Sequence, residues 1–180
     1  MTIGLKRGKV EVCPHSTDWE AAAEKTIGTL KEILKNDLVD AQHIGSTSIK
    51  TICAKPIVDI VVGVRRFEDI LKHNGELEKN GIIYRREERS GEHLYICGDL
   101  NNNIHTHYIH VVIWNEKSWN DYLNMRDYLN AHEAVAKEYS ALKENLAKLY
   151  PNDRIAYTAQ KSGFIESVLR SAEEWRKNLK

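Results

Sequence analysis

A single carboxylate stands inside an apolar run. Asp59 is flanked by Pro56, Ile57, Val58, Ile60, Val61 and Val62, a setting in which a charge is costly unless it is paired or ligates a cation. It therefore reads either as a strand-end Asp bonded to backbone amides or a lysine, or as a carboxylate holding a divalent cation beside a phosphate. Mg²⁺ is characteristically bound that way, through one or two carboxylates plus substrate phosphates. Upstream, Gly45, Ser46, Thr47 and Ser48 close a strand-like segment. Glycine lets backbone amides approach a phosphate and the three hydroxyls add hydrogen bonds, although the same composition also makes ordinary turns. Lys55 is either a compact cation for an incoming phosphate or a surface lysine at the entrance to the next strand.

Histidines form the second group. His105, His107 and His110 lie close together, and His43 leads into Gly45. Regular strand alternation puts His105 and His107 on one face and His110 on the other, so the expected cluster is His43, Asp59 and His110. One acid with imidazoles is a poor Mg²⁺ cage and suits a softer ion such as Mn²⁺ or Zn²⁺, or no metal. Arg126 beside Asp127 is either a helix surface pair or a planar fork for a phosphate. Tyr157 and Lys161, spaced i and i+4, share one helical face.

The elements that must position these groups follow from the patterning. The chain has 180 residues, 42% hydrophobic and 29% charged, with 26 basic and 26 acidic side chains. That composition supports one large globular domain over residues 1–180, with a sheet core to about 115 and a helical part from about 116 to 180. A balanced charge gives no general grip on nucleic acid or anionic lipid. No stretch reaches the roughly 20 apolar residues of a membrane span, and the start lacks the apolar centre of a signal peptide, so a cytoplasmic location is expected. Cys13, Cys53 and Cys97 are an odd count without CxxC spacing and read as reduced thiols.

KVEVC (residues 9–13) reads as a short strand, and Thr17 with Glu20 has the form of a capping box opening a helix over 17–35. VDAQHI reads as a strand, and KPIVDIVVGV as a central strand buried on both sides. Phe67, Ile70, Leu71 and Leu77 give a helical stripe that Gly81 terminates. IIYRR, HLYICG and THYIHVVIW form an antiparallel meander with turns at EERSGE and GDLNNN. From Ser118 the pattern is helical, with Pro151 and Asn152 between helices and a last helix reaching about Trp175. Trp114, Trp119 and the Tyr-rich helices are either core or a face for a homo-oligomer.

HIGST at 43–47, AKPIVDI at 54–60, THYIHVV at 106–112, MRDYLNAHEAVAKEYSALKENLA and YTAQKSGFIE together resemble the GrpB family of the nucleotidyltransferase superfamily, over nearly the whole chain. The resemblance implies an α/β (α+β) nucleotidyltransferase-like mixed sheet flanked by helices, with a C-terminal helical segment. It implies Gly45 and Ser46 as a phosphate-binding pair and Asp59 as a metal carboxylate. In that superfamily two cations orient a nucleoside triphosphate for in-line displacement. This chain departs from the pattern: Ile57 and Val61 stand where a second carboxylate would share the face of Asp59, and His110 stands where a third acid is usual. Lys50 and Thr51 fall where the family commonly has a Pro-Gly turn, and Tyr108 replaces a His.

Three functions are compatible with these residues. One is metal-dependent nucleotidyl or phosphoryl transfer to an unknown acceptor, with Mg²⁺ or Mn²⁺ on Asp59 and His110. In that reading Gly45, Ser46, Thr47, Ser48, Lys55, Arg126, Tyr157 and Lys161 hold the phosphates. A second is a nucleotide- or phosphometabolite-binding module without turnover. A third is a transition-metal hydrolase, which needs a compact three-ligand shell.

Overall fold

A computed structural model describes residues 3–89 and 91–179; Met1, Thr2, Ser90 and Lys180 lie outside it. β1 (Leu5–Lys6) is followed by α1 (Asp18–Leu34), β2 (Leu38–Ile44), a tight turn at Ser46–Ser48 and β3 (Val58–Val64). Two short helices, α2 (Glu68–Leu71) and α3 (Asn74–Lys79), lead to β4 (Ile83–Arg89), β5 (Glu92–Cys97), β6 (Ile104–His105) and β7 (His107–Ile113). Four helices complete the chain: α4 (Lys117–Ala131), α5 (Glu133–Leu149), α6 (Arg154–Gln160) and α7 (Ser162–Asn178).

Among the described residues, five strands form a mixed sheet in the order β2-β3-β7-β5-β4, and β1 pairs with β6 in a separate ribbon. β3 is central as expected, antiparallel to β2 and parallel to β7. Its β-branched run makes this possible, because both faces are covered. On one face Val58, Ile60, Val62 and Val64, with Ile109 and Val111 of β7, pack on Trp19, Ala23, Leu30 and Leu34 of α1. On the other, Val61 and Val112 meet Ile44 and Trp119. Gly63 is where this packing is tightest: a Cβ there would fall 2.8 Å from the Trp114 ring and 2.9 Å from that of Trp119. Leu129, Ala136, Tyr139 and Val168 of the C-terminal helices pack on Ile49 and Ile52, in the link between the Ser46–Ser48 turn and β3.

Several local expectations fail for identifiable reasons. KVEVC does not enter the sheet; only Cys13 bridges, exchanging two 2.9 Å backbone hydrogen bonds with Ala54, and Pro14 has no N–H to continue the pairing. The Thr17–Glu20 capping box does not form. Thr17 already has helical dihedrals, and the Ser16 hydroxyl accepts from the Asp18 N–H at 3.2 Å. The 67–77 stripe is broken at His73, the N-cap of α3, and Gly81, at φ 75°, closes it as expected. The turn at EERSGE is narrower than read, since β4 runs to Arg89 and β5 starts at Glu92. The final helix is two, broken at Lys161. No described helix is long and apolar enough to cross a membrane.

Candidate functional site

The parity of the strands decides which side chains meet. β2 pairs with β3 so that Ile44 opposes Asp59 and His43 opposes Ile60. Opposed residues of an antiparallel pair share a face. Asp59 therefore points with Ile44 toward the C-terminal helices, while His43 points with Ile60 toward α1. On β7, His110 falls on the Asp59 face, and its Nε2 lies 3.5 Å from Asp59 Oδ1. His110 Nδ1 donates to Glu92 Oε1 at 2.7 Å, and the Tyr122 hydroxyl reaches both Glu92 oxygens at 3.1 Å. Burial pulls the His110 imidazole down, but the two carboxylates outweigh it and leave its pKa raised to about 9. The imidazolium is thus held between two acids, a self-compensated ion chain.

Gly45 makes this end of the site possible. It has φ 69°, and a Cβ there would lie 2.6 Å from Asp59 Oδ2, so the turn backbone rests directly against the carboxylate. The turn's own hydroxyls face inward to its structure. Thr47 is buried, with its Oγ1 2.9 Å from His43 Nε2, and the Ser48 hydroxyl donates to Gly45 O at 2.7 Å. Ser46 lines the cavity beyond. Asn130 of α4 holds the backbone just after the turn, accepting from the Lys50 N–H and donating to Ser48 O.

The cavity beside Asp59 has a volume of about 340 Å³ and runs from the Gly45 turn to α5, α6 and α7. Its far end is basic. Arg154 donates from Nη1 to the Tyr108 hydroxyl at 2.9 Å and lies over that ring. Lys161 and Lys55 stand 4.5 and 5.3 Å from the centroid of the Tyr157 ring. Lys143, 1% exposed, donates from Nζ to the Cys53 carbonyl. Burial lowers Lys55 and Lys161 to about 8 and Lys143 to about 7; neighbouring cations add to this at Lys55 and Lys143, while Asp59 opposes it at Lys161 and, more weakly, at Lys55. Desolvation is the main cause in each case, and an anion in the cavity would oppose it.

Of the residues singled out in the sequence, Gly45, Ser46, Thr47, Lys55, Asp59, His110, Arg126, Tyr157 and Lys161 all line this cavity. Arg126 commits its Nε to Asp127 at 2.8 Å and its Nη1 to Gln42 Oε1 and His43 O at 3.0 and 3.2 Å, so it clamps β2 to α4. His43 does not join Asp59 and His110. Half-buried near α1, its imidazole is desolvated and its pKa falls to about 4, and it serves Thr47. The alternation expected of His105 and His107 is broken at Thr106, between β6 and β7: His105 Nδ1 pairs with the Tyr108 hydroxyl, while His107 Nε2 meets Thr26 of α1. Four site residues escaped sequence reading: Glu92, Tyr122, Lys143 and Arg154. Lys143 had a signal, since it falls in the stripe Ala136, Tyr139, Lys143, Leu146 that α5 buries.

A two-cation cage does not fit these donors. Asp59 is the lone acid of β3, with Ile57 and Val61 two residues to either side. Glu92 is bound to His110 and Tyr122, and a protonated imidazole offers no lone pair to a metal. Among the described residues no three His, Cys, Asp or Glu side chains are grouped to hold an ion. The expected set of His43, Asp59 and His110 is therefore not assembled, and neither is the three-ligand shell of a transition-metal hydrolase.

Comparison with known proteins bears on the family and the fold. The family described as GrpB protein matches residues 9–171. The chain is 40% identical over 170 residues to the glutamate-rich protein GrpB of Alkalihalophilus pseudofirmus, covering 93% of this chain and 98% of that protein. A crystal structure of the conserved protein GrpB from Enterococcus faecalis superposes with a TM-score of 0.84 at 30% identity, over 92% of this chain and 99% of that one. The Cid1 poly(U) polymerase bound to MgGTP matches at 17% identity with a TM-score of 0.53, over 75% of this chain and 44% of its own. That last match is a likeness of fold.

Proposed function

This chain belongs to the GrpB family, on a fold related to nucleotidyltransferases, and we propose that its cleft is a binding module for a phosphorylated small molecule. The ligand is a nucleotide or another phosphometabolite, held by side-chain cations where relatives of the fold use metal ions. The observation that carries this reading is the charge distribution in the cavity. Lys55, Lys143, Arg154 and Lys161 converge at one end, while the His110 charge is taken up by Asp59 and Glu92 at the other. Charge-assisted hydrogen bonds from lysine and arginine to phosphate are among the stronger polar contacts available to a protein. Apolar and aromatic lining from Ile49, Ile57, Leu94 and Tyr157 suits the organic part of such a ligand.

A thermal-shift series tests it, using nucleoside mono-, di- and triphosphates and inorganic pyrophosphate, each in chelator and again with Mg²⁺. A ligand at 100 times its Kd stabilises the fold by about 2.7 kcal/mol. The expected result is a shift that persists in chelator and vanishes in Lys161→Gln. Stabilisation that requires Mg²⁺ and is abolished by Asp59→Asn favours the second reading, nucleotidyl or phosphoryl transfer. The observation on its side is Asp59 itself, a carboxylate 30% exposed to the cavity beside Gly45.

A further inference from the structure

We propose that Lys143 is a covalent attachment point, forming an imine with a phosphorylated aldehyde whose phosphate is held by Lys55, Arg154 and Lys161. The proposal rests on the phosphate-binding reading of the cleft and adds to it the ligand's electrophile. Lys143 is the one lysine of the apolar stripe of α5, buried at 1% exposure yet lining the cavity. A structural lysine at such a place would be matched by a carboxylate. Lys143 instead donates to a neutral acceptor, the Cys53 carbonyl, and its Nζ lies 4.6 Å from the centroid of the Tyr139 ring.

Burial, with Lys161 and Lys55 close by, lowers its pKa to about 7, so a large share is neutral amine near neutrality. A lysine desolvated beside other cations is the form of this side chain that attacks carbonyls. The Nζ lone pair forms the C–N bond while the carbonyl π pair moves to oxygen, which takes up the proton that nitrogen loses. The resulting hydroxyl leaves as water with a proton from the Lys161 ammonium, and the iminium returns one proton to Lys161. The sum is aldehyde plus amine giving imine plus water, with no oxidant, reductant or metal. The phosphate supplies the orientation that makes such an attack effectively intramolecular.

The experiment uses the full chain with pyridoxal 5′-phosphate or glyceraldehyde 3-phosphate, borohydride trapping and peptide mass mapping. The expected result is a single reduced adduct on Lys143, at least tenfold faster than on any surface lysine and suppressed by inorganic pyrophosphate. An adduct distributed over exposed lysines, or confined to Lys55 or Lys161, overturns the proposal. So does labelling that pyrophosphate leaves unchanged. Mapping on the wild-type protein needs no variant to fold, and Lys143→Gln and Lys143→Met then serve as separate controls that should lose the adduct. Pyrophosphate binding followed by thermal shift separates the two claims: binding without an adduct sinks the imine and leaves the phosphate site standing, and no binding removes both.

Discussion

The two ends of the cleft solve the problem of buried charge in opposite ways. At the Gly45 end, His110 sits between Asp59 and Glu92, and Tyr122 satisfies the outer carboxylate, so every charge has a partner within the protein. At the α6 end, Arg154 leans on the Tyr108 hydroxyl and ring, Lys55 and Lys161 on the Tyr157 ring, and Lys143 on a carbonyl. Those direct partners are neutral, and the Asp59 charge reaches Lys55 and Lys161 only through space. Charges partly or fully removed from water beside neutral partners are costly, and on the proposed reading an external anion offsets that cost. On the proposed reading, lysine and arginine supply at the α6 end the charge that a cation would otherwise bring to a phosphate.

Stability measurements break or sharpen this contrast most strongly. Replacing His110 with Gln should destabilise the protein by about 3–5 kcal/mol, because it leaves two carboxylates facing each other without their cation. Chemical denaturation checks it, and an unchanged midpoint would mean that the acid end is not self-compensated. At the basic end the sign reverses. Lys143→Met should stabilise the unliganded protein, by on the order of 1 kcal/mol, since burial and like charge oppose the ammonium. For ligand binding, Arg154→Gln should weaken a polyphosphate by about 10- to 100-fold in calorimetric titration, the loss of one charge-assisted contact of roughly 1.5–3 kcal/mol. Gly45→Ala, forced to φ 69° with its Cβ against Asp59, should cost about 1–3 kcal/mol. It should also disturb the acid end alone, leaving pyrophosphate affinity near the wild-type value.

The pH dependence gives the most diagnostic effect. His110 has a folded pKa raised to about 9 from 6.5, so its stabilisation is complete below 6.5 and is lost as pH rises through about 9. Lys143, Lys55 and Lys161 have folded values lowered to about 7 to 8 from 10.5. Between those values and 10.5 the unfolded chain binds more protons, and their contribution to stability rises with pH. A polyanion restores the lysine charges, so binding takes up protons above about pH 7 and affinity falls as pH increases. Titrations in buffers of different ionisation enthalpy measure that uptake directly.

The fold was readable because its strongest signals are long and repetitive: the apolar run of β3, the i, i+3, i+4 stripe of α1 and the helical periodicity after Ser118. Boundaries governed by a single bond were not. The break at Thr106 took His105 off the face it was expected to share with His107, which still lies on the face opposite His110, and parity between β2 and β3 moved His43 to the far face of the sheet, where one residue of register is decisive. Asp59, Gly45, Lys55 and Lys161 stood out through their local context. Glu92 looked like part of a turn because its partner, His110, lies 18 residues along the chain. Arg154, just after Pro151, Asn152 and Asp153, belonged to no pattern that singled it out. Lys143 was concealed by its type, since lysines on amphipathic helices usually face water.

The most direct test of the cation-held phosphate site is calorimetric titration of inorganic pyrophosphate into the metal-free protein in chelator at pH 8. The account predicts saturable one-site binding with net proton uptake, lost in Lys161→Gln and retained in Asp59→Asn. No binding without Mg²⁺, or binding that Asp59→Asn abolishes and Lys161→Gln leaves intact, would contradict it.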